Sequence, residues 1–208
     1  MTKPDLNTAY GLDGPEDCRR LYADWAESYD RDFAEGMDYI LPAQVASAFL
    51  AAGGSGPVLD VGTGTGLLGA ALRGAGCQDP IDGVDLSPEM LARAAGMELY
   101  RHLAEADITR PLPLSGPYGG IVSSGTFTHG HVGPEALPHL IAVAAPGALF
   151  ALSVNAGIWS ALGFAPALAA LPIRDLDTAE APIYGPGAAA RDPSHAADRA
   201  LIVTFRKA

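Results

Sequence analysis

The stretch from Val58 to Gly69 constrains the fold of this chain more than any other. It starts with Val58-Leu59-Asp60-Val61, a short run that contains one acid and otherwise suits a strand buried on both faces. The residues that follow permit a left-handed turn and a close approach of ligand to backbone: Gly62, Gly64 and Gly66. A helical pattern begins at Leu67, and its amino end presents unpaired N–H groups at the same place. The stretch therefore predicts a strand, a glycine turn and a helix around a cleft for a nucleotide-type cofactor.

The glycine spacing alone leaves the ligand open. Gly64, Gly66 and Gly69 satisfy the dinucleotide fingerprint G-x-G-x-x-G, and Asp85 follows about 20 residues later. Asp60 argues against a diphosphate, because like charges 4 Å apart repel by roughly 4 kcal/mol at an effective dielectric constant of 20. A cationic or zwitterionic ligand would be attracted instead. A nicotinamide-dependent oxidoreductase is thus an alternative that Asp60 weakens.

A second junction between a strand and a helix lies at Gly83-Val84-Asp85-Leu86-Ser87-Pro88-Glu89-Met90-Leu91. Ser87 is a favourable helix N-cap, and Pro88 occupies the first helical position, where proline is tolerated. Asp85 ends the strand, and a carboxylate there can accept hydrogen bonds from both hydroxyls of a ribose. The two junctions together predict one ligand bound across neighbouring strand ends.

In combination, Val58–Gly66 and Gly83–Leu91 resemble motifs I and II of the class I S-adenosylmethionine-dependent methyltransferases. Asp107 falls where that family has its third acidic loop, and Ile121–Gly125 falls where its fourth strand ends. The resemblance covers residues 16–155. It implies an enzyme that transfers a methyl group from S-adenosylmethionine and leaves S-adenosylhomocysteine.

Two further segments resemble the Williams–Beuren-region methyltransferase-like group, a branch of small-molecule type. They are Leu21-Tyr22-Ala23-Asp24-Trp25-Ala26-Glu27-Ser28-Tyr29-Asp30 and Gly125-Thr126-Phe127-Thr128-His129-Gly130-His131-Val132-Gly133. The resemblance to this branch implies a small-molecule methyl acceptor that is methylated at O, N or S.

The implied fold is an α/β, three-layer Rossmann-like methyltransferase fold. Its sheet has seven mostly parallel strands in the order 3-2-1-4-5-7-6, with helices on both faces and the last strand antiparallel. The alternation of strands and helices independently predicts a doubly wound sheet. Strands are expected near 58–61, 80–85, 99–104, 120–123, 148–154, 181–184 and 201–205. One domain is expected over 1–208, with 1–38 as an amino-terminal lid segment and 39–208 as the Rossmann-like core.

The resemblance also implies roles for particular residues in cofactor binding. Asp85 would hold the ribose, and Asp60 would lie within electrostatic reach of the methionine ammonium group. Asp107 and the Ile108 amide would contact the adenine amino edge. The remaining positions expected at the cofactor are Gly62, Thr63, Gly64, Gly66, Leu67, Leu86, Met90, Ser124 and Gly125.

Aromatic residues of the first helical segment are candidate cover residues for the cleft. Tyr22 and Tyr29 lie at helical spacing on a face that also suits packing. An aromatic ring over a sulfonium contributes roughly 0.5–2 kcal/mol through a cation–π contact. Both tyrosines are therefore expected to bind the cofactor.

Two histidines follow the end of the fourth strand. His129 and His131 lie five and seven residues after Ser124, near the expected place of methyl transfer. Histidine titrates near neutrality and suits a general base, although a loop histidine that only orders the turn is an equal alternative. The sequence has no Asn-Pro-Pro-Tyr-type motif, which disfavours a methyltransferase that acts on nucleobase or glutamine amide nitrogen.

Composition limits the partners. The chain carries 24 acids against 13 Lys and Arg, a net charge of −11, which disfavours nucleic acid as a partner. No apolar run is long enough to span a membrane, and no secretory signal is evident at the start. Cys18 and Cys77 predict free thiols in the cytoplasm and no metal site.

A monomer or a homodimer is expected. A regulator that binds the cofactor without transferring methyl groups is a further alternative, and an aminopropyltransferase is a weaker one.

Overall fold

The computed structural model describes residues 8, 11, 14–26 and 34–208. In chain order the elements are α1 (Pro15–Trp25), α2 (Leu41–Ala51), β1 (Val58–Val61), α3 (Leu67–Gly74), β2 (Ile81–Asp85), α4 (Pro88–Gly96), β3 (His102–Glu105), β4 (Tyr118–Phe127), α5 (Leu137–Val143), β5 (Ala144–Asn155), α6 (Ala156–Trp159), α7 (Phe164–Ala169), β6 (Ile173–Pro182), α8 (Ala188–Arg191) and β7 (Arg199–Lys207). Among the described helices, none has the length and apolar character needed to cross a membrane.

The strands form one seven-stranded sheet in the order β3-β2-β1-β4-β5-β7-β6, which confirms the predicted topology. Strand β7 runs antiparallel to both of its neighbours, and the pairs on the other side of β5 are parallel. Val58 is in register with Ile81 of β2 and Gly120 of β4. The strand order therefore reverses at β1, and its carboxyl end is the switch point where ligands bind in such sheets.

Helices cover the sheet on both faces and enclose two apolar clusters. One cluster packs α2 and α3 on the sheet through fully buried Phe49 and Leu72. The other contains α5 and α7 and stacks Phe150 on Phe205 with ring centroids 4.5 Å apart. Both clusters reach β1, whose four residues are all buried as the apolar run predicts.

The predicted strand at 181–184 is wrong, because β6 spans Ile173–Pro182. This strand forms the sheet edge and pairs only with β7. Most of its residues are exposed, so its polar sequence has no apolar period that could reveal a strand. Strand β3 also begins three residues later than predicted, at His102.

Local capping around the second junction follows the sequence closely. The Ser87 hydroxyl accepts a hydrogen bond from the Met90 N–H at 3.2 Å, which confirms Ser87 as the N-cap of α4. Helix α1 packs against α4, and Arg19 of α1 pairs with Glu105 at the end of β3 at 3.2 Å. Helix α1 therefore lies beside the carboxyl ends of the strands.

Candidate active site

A glycine turn links β1 to α3 and forms the floor of a cleft. Gly62 and Gly64 both have left-handed backbone angles, with φ of 66° and 55°. A Cβ on Gly62 would lie 2.0 Å from the Thr126 hydroxyl oxygen, so no larger residue fits there. A Cβ on Gly64 would meet nothing within 4 Å. Gly62 thus serves packing, whereas Gly64 exposes the backbone to the cleft.

The cleft lies over the carboxyl ends of the strands. Its empty volume, the open mouth included, is about 890 Å³. One side, the strand-end wall, comprises Gly62, Gly64, Asp85, Leu86, Met90, Ala106, Asp107, Ile108, Thr109, Ser124, Gly125 and Thr126. The other side, the cover wall, comprises Cys18, Tyr22, His131 and Val132.

The Asp85 carboxylate is built into the glycine turn. One oxygen accepts a hydrogen bond from the Gly64 N–H at 2.7 Å, and the other accepts one from the Ser87 N–H at 2.9 Å. Burial raises the pKa of Asp85, and the hydrogen bonds from Ser87, Gly64 and Leu86 oppose that rise. Each carboxylate oxygen has further acceptor capacity, so the group can also bind hydroxyl donors in the cleft.

Asp60 lies beneath the glycine turn and is not among the residues that line the cleft. Its side chain is fully buried, and one carboxylate oxygen accepts a hydrogen bond from the Tyr100 hydroxyl at 2.7 Å. The other oxygen has no hydrogen-bond partner among the described residues. Burial raises the pKa of Asp60 to about 7, although the Tyr100 hydrogen bond opposes the rise.

Tyr100, which the sequence did not single out, accounts for two of the three glycines in the apparent dinucleotide fingerprint, Gly66 and Gly69. A Cβ on Gly69 would lie 2.3 Å from the Tyr100 hydroxyl oxygen. A Cβ on Gly66 would lie 2.7 Å from the sulfur of Met97 and 3.3 Å from the Tyr100 ring. The spacing therefore makes room for an aromatic ring behind the turn, and it is no evidence for a diphosphate.

Apolar side chains and one acid complete the strand-end wall after β2 and β3. Met90 and Ile108 are buried and line the cleft together with Leu86. One oxygen of Asp107 accepts hydrogen bonds from the Thr109 N–H at 2.9 Å and the Thr109 hydroxyl at 2.6 Å. Its other oxygen pairs with Arg110 at 3.2 Å. The wall can thus enclose a flat apolar ring and offer a carboxylate at its edge.

The end of β4 is held by hydroxyl groups. Ser124 lies 3.3 Å from the Tyr39 hydroxyl, and the Gly125 N–H donates to the Ser153 hydroxyl at 2.9 Å. The Thr126 hydroxyl donates to the Val61 carbonyl at 3.0 Å, which fixes β4 against β1. Tyr39 and Ser153 are distant in sequence from this loop and were not predicted.

The cover wall joins α1 to the loop after β4. The Tyr22 hydroxyl lies 2.8 Å from Nε2 of His131, and the two rings meet edge to face at 5.5 Å. Nδ1 of His131 lies 2.6 Å from the His129 carbonyl oxygen. Burial lowers the pKa of His131, and the His129 carbonyl partly offsets this effect. His131 is therefore a neutral imidazole at neutral pH.

Several predicted site residues lie away from the cleft lining. The His129 ring packs near Gly157, where an added Cβ would lie 2.7 Å from Nε2 of His129. Thr63 is buried and donates to the Asp60 carbonyl at 2.9 Å. Gly66 and Leu67 form the start of α3 behind the turn. Tyr29 lies outside the described residues.

The charged residues of the cleft have one sign. Asp85 and Asp107 line it, and no Lys or Arg is present among the described lining residues. Arg110, which pairs with Asp107, has a side chain that is 79 % exposed. The cleft therefore favours cationic or uncharged ligands over anions.

Comparison with known proteins identifies the class. Residues 33–173 match the family described as "Methyltransferase domain". The chain belongs to this methyltransferase-domain family, which confirms its resemblance to the class I S-adenosylmethionine-dependent methyltransferases.

One human protein is similar to this chain in sequence. The chain is 32 % identical over 156 residues to Methyltransferase-like protein 27 of Homo sapiens. The match covers 72 % of this chain and 62 % of the human protein, so it spans less than two thirds of that relative's length.

Solved structures of methyltransferases share the fold. Magnesium protoporphyrin IX methyltransferase of Synechocystis with bound SAH is 15 % identical, with a TM-score of 0.63 over 93 % of this chain and 99 % of that one. The N-methyltransferase NodS of Bradyrhizobium japonicum, in complex with S-adenosylhomocysteine, is 15 % identical, with a TM-score of 0.58 over 80 % and 85 % of the two chains. These likenesses agree with the sheet order described above.

Proposed function

We propose that this protein methylates a small-molecule acceptor, with S-adenosylmethionine bound across the strand-end wall. The observation that carries the proposal is the joint placement of Asp85 and Gly64, where a buried carboxylate and an open glycine backbone meet in the cleft. The residues present fit the cofactor, because the space above Gly64 is empty and the lining acids suit a sulfonium and an ammonium group.

Each part of the cofactor has a matching group on this wall. Asp85 is assigned to the ribose hydroxyls, and the backbone at Gly62 and Gly64 to the methionine portion. Leu86, Met90 and Ile108 are assigned to the adenine ring, with Asp107 at its amino edge. Ser124 and Gly125 border the part of the cleft where the methyl group would lie.

Asp60 is assigned a positioning role. It touches the cleft through no atom of its own, but its carboxylate binds Tyr100, and the Tyr100 ring packs against Gly66 and Gly69. Thr63 holds the turn from the same side. These groups fix the backbone that contacts the cofactor, so their effect on binding is indirect.

When bound, S-adenosylmethionine supplies a methyl group on a positively charged sulfur. The chain contributes alignment of the acceptor and exclusion of water, which provide much of the acceleration in a displacement of this kind. Tyr22 covers the cleft from α1, and we assign the role of general base to His131, which lies on the same wall. His129 supports His131 through its carbonyl group.

The proposal of a small-molecule acceptor rests on charge and similarity. The chain has a net charge of −11, and the cleft lacks Lys and Arg among its described lining residues, which disfavours nucleic acid. Magnesium protoporphyrin IX methyltransferase, one of the similar structures, is named for a small molecule. Cys18 and Cys77 are free, as expected for the cytoplasm, where we place the protein.

Calorimetric titration with S-adenosylmethionine, S-adenosylhomocysteine and NADH tests the proposal. We expect micromolar binding of the first two and no heat with NADH. Binding of NADH alone would overturn the assignment of the cofactor. The protein is also incubated with small-molecule extracts and S-adenosylmethionine labelled in its methyl group. A labelled small-molecule product indicates an enzyme, and its absence indicates a regulator that binds the cofactor without transferring methyl groups.

A further inference from the structure

The contact between Tyr22 and His131 has a defined direction. The His129 carbonyl can only accept a hydrogen bond, so Nδ1 of His131, 2.6 Å away, carries the proton. In the neutral imidazole Nε2 then bears the lone pair, and the Tyr22 hydroxyl, 2.8 Å away, donates to it. The pair thus consists of a base whose lone pair is already bound to a tyrosine proton.

Both side chains line the cleft on the cover wall. A phenolic oxygen that donates its proton can also accept a hydrogen bond. An acceptor molecule with an X–H group beside Tyr22 can therefore donate to the Tyr22 oxygen while that oxygen donates to Nε2 of His131. The three groups would form a chain along which a proton can move.

We propose that Tyr22 is a catalytic residue that takes the proton of the methyl acceptor and passes its own proton to His131. This proposal rests on the proposed methyl transfer, and it names the route by which the proton leaves. The acceptor it implies is a hydroxyl compound of phenol type.

The proton relay and the methyl transfer each break one bond for every bond that they form. The X–H bond of the acceptor breaks and a new O–H bond forms on Tyr22, while the original Tyr22 O–H bond breaks and an N–H bond forms at Nε2 of His131. The electron pair left on X forms the bond to the methyl carbon, and the pair of the carbon–sulfur bond stays on sulfur. The positive charge of the sulfonium therefore ends on the imidazolium of His131.

Two observations select the acceptor class. Asp85 and Asp107 are the charged groups among the described lining residues, so an anionic acceptor such as a carboxylate or a phosphate is disfavoured. Burial lowers the pKa of His131 and makes it a weak base, which favours an acceptor with an acidic proton. An uncharged phenol-type hydroxyl meets both conditions.

The other titratable groups around His131 have separate hydrogen bonds. The Cys18 thiol donates to the Gly130 carbonyl at 3.5 Å, and burial raises its pKa to about 11, so it stays protonated. Glu135 accepts a hydrogen bond from the Gly133 N–H at 2.9 Å, and His129 lies against Gly157. Tyr22 is therefore the side chain whose loss acts directly on Nε2 of His131.

Nitrogen NMR of the protein labelled in its five histidines, in complex with S-adenosylhomocysteine, tests the relay directly. The His131→Asn variant assigns the His131 signals. We expect wild-type His131 to be neutral with its proton on Nδ1. Because Tyr22 stabilises the neutral imidazole, Tyr22→Phe should raise the proton affinity of His131 about fivefold. Tyr118→Phe is the control, since Tyr118 donates to Asp82 at the opposite end of the sheet and Arg101 still pairs with Asp82.

Phenol and its methyl ether, anisole, then serve as probes of the acceptor contact. Phenol should shift the Nε2 signal of His131 in the wild-type complex but not in Tyr22→Phe, and anisole should shift it in neither. A proton on Nε2 of His131, an unchanged titration in Tyr22→Phe, no response to phenol, or the same response in both proteins would overturn the relay. Calorimetry with S-adenosylhomocysteine on the same samples separates the two proposals, because loss of all binding would refute the proposed function instead.

Discussion

The two walls of the cleft are assembled in different ways. The strand-end wall consists of backbone turns at the ends of β1, β2 and β3 and of residues near the end of β4. One carboxylate, Asp85, bridges the turns after β1 and β2. The cover wall consists of one helix and one loop, and its central contact joins residues 109 positions apart. Local backbone geometry therefore defines the wall that we assign to the cofactor, whereas a long-range side-chain contact defines the wall that we assign to the acceptor.

The largest test of the strand-end wall compares two neighbouring glycines. Gly62→Ala forces a Cβ against Thr126 in a left-handed conformation and should destabilise the fold by about 2–5 kcal/mol. Gly64→Ala has the same backbone strain without the collision, so it should cost about 1–2 kcal/mol of stability. Urea unfolding measures both, and equal losses would contradict the packing role of Gly62.

The buried acid behind that wall predicts a pH dependence of stability. Burial raises the pKa of Asp60 to about 7, so between pH 4 and 7 the folded protein holds a proton that the unfolded chain has lost. The contribution of Asp60 therefore lowers the stability as pH rises through this window, by roughly 4 kcal/mol, and is constant above it. Asp60→Asn should remove this slope from unfolding curves. Asp177→Asn, an exposed change on β6, should keep the wild-type slope.

The cofactor contact of the strand-end wall is tested at Asp85. Asp85→Asn removes a charged acceptor in the cleft, and the affinity for S-adenosylhomocysteine should fall by about 1.5–3 kcal/mol, roughly 10- to 100-fold. Asp177→Asn is a matched control, because that carboxylate is exposed on β6 at the sheet edge and does not line the cleft. An unchanged dissociation constant for Asp85→Asn, measured by calorimetry, would remove Asp85 from the ribose site.

The smallest expected effect is the change in cofactor affinity when the two histidines after β4 are replaced. His129→Ala and His131→Ala should change the affinity for S-adenosylhomocysteine by no more than about twofold, since neither residue belongs to the wall assigned to the cofactor. Turnover should fall strongly in His131→Ala and little in His129→Ala, because the second variant keeps the backbone carbonyl that binds Nδ1 of His131. A collapse of affinity in His131→Ala would instead place this residue at the cofactor.

The same contrast explains what the sequence could predict. The sheet order and the position of Asp85 follow from short motifs, because a strand, a turn and a helix start are set by adjacent residues. Tyr22 and His131 could be singled out by type, but their contact could not be predicted, since it depends on where α1 packs. Tyr100 was missed for the same reason, because it reaches Asp60 across 40 residues.

The bounds of strand β6 were mispredicted for a different reason. Most of its residues are exposed at the sheet edge, so its sequence shows no alternation of apolar and polar residues. Its place is set by pairing with β7, from Ile173 opposite Lys207 to Pro182 opposite Arg199. Backbone pairing of this kind leaves little signal in a single sequence.

The packing of Tyr100 against Gly69 makes these two positions a coupled pair. A methyl group at position 69 collides with the hydroxyl of Tyr100, so the size allowed at one position depends on the residue at the other. Removal of that hydroxyl in Tyr100→Phe relieves the shortest contact, but the added Cβ would still lie 2.6 Å from the ring carbon Cζ, and Asp60 would lose a hydrogen-bond donor. In a redesign of this turn, positions 60, 69 and 100 would therefore have to be varied together.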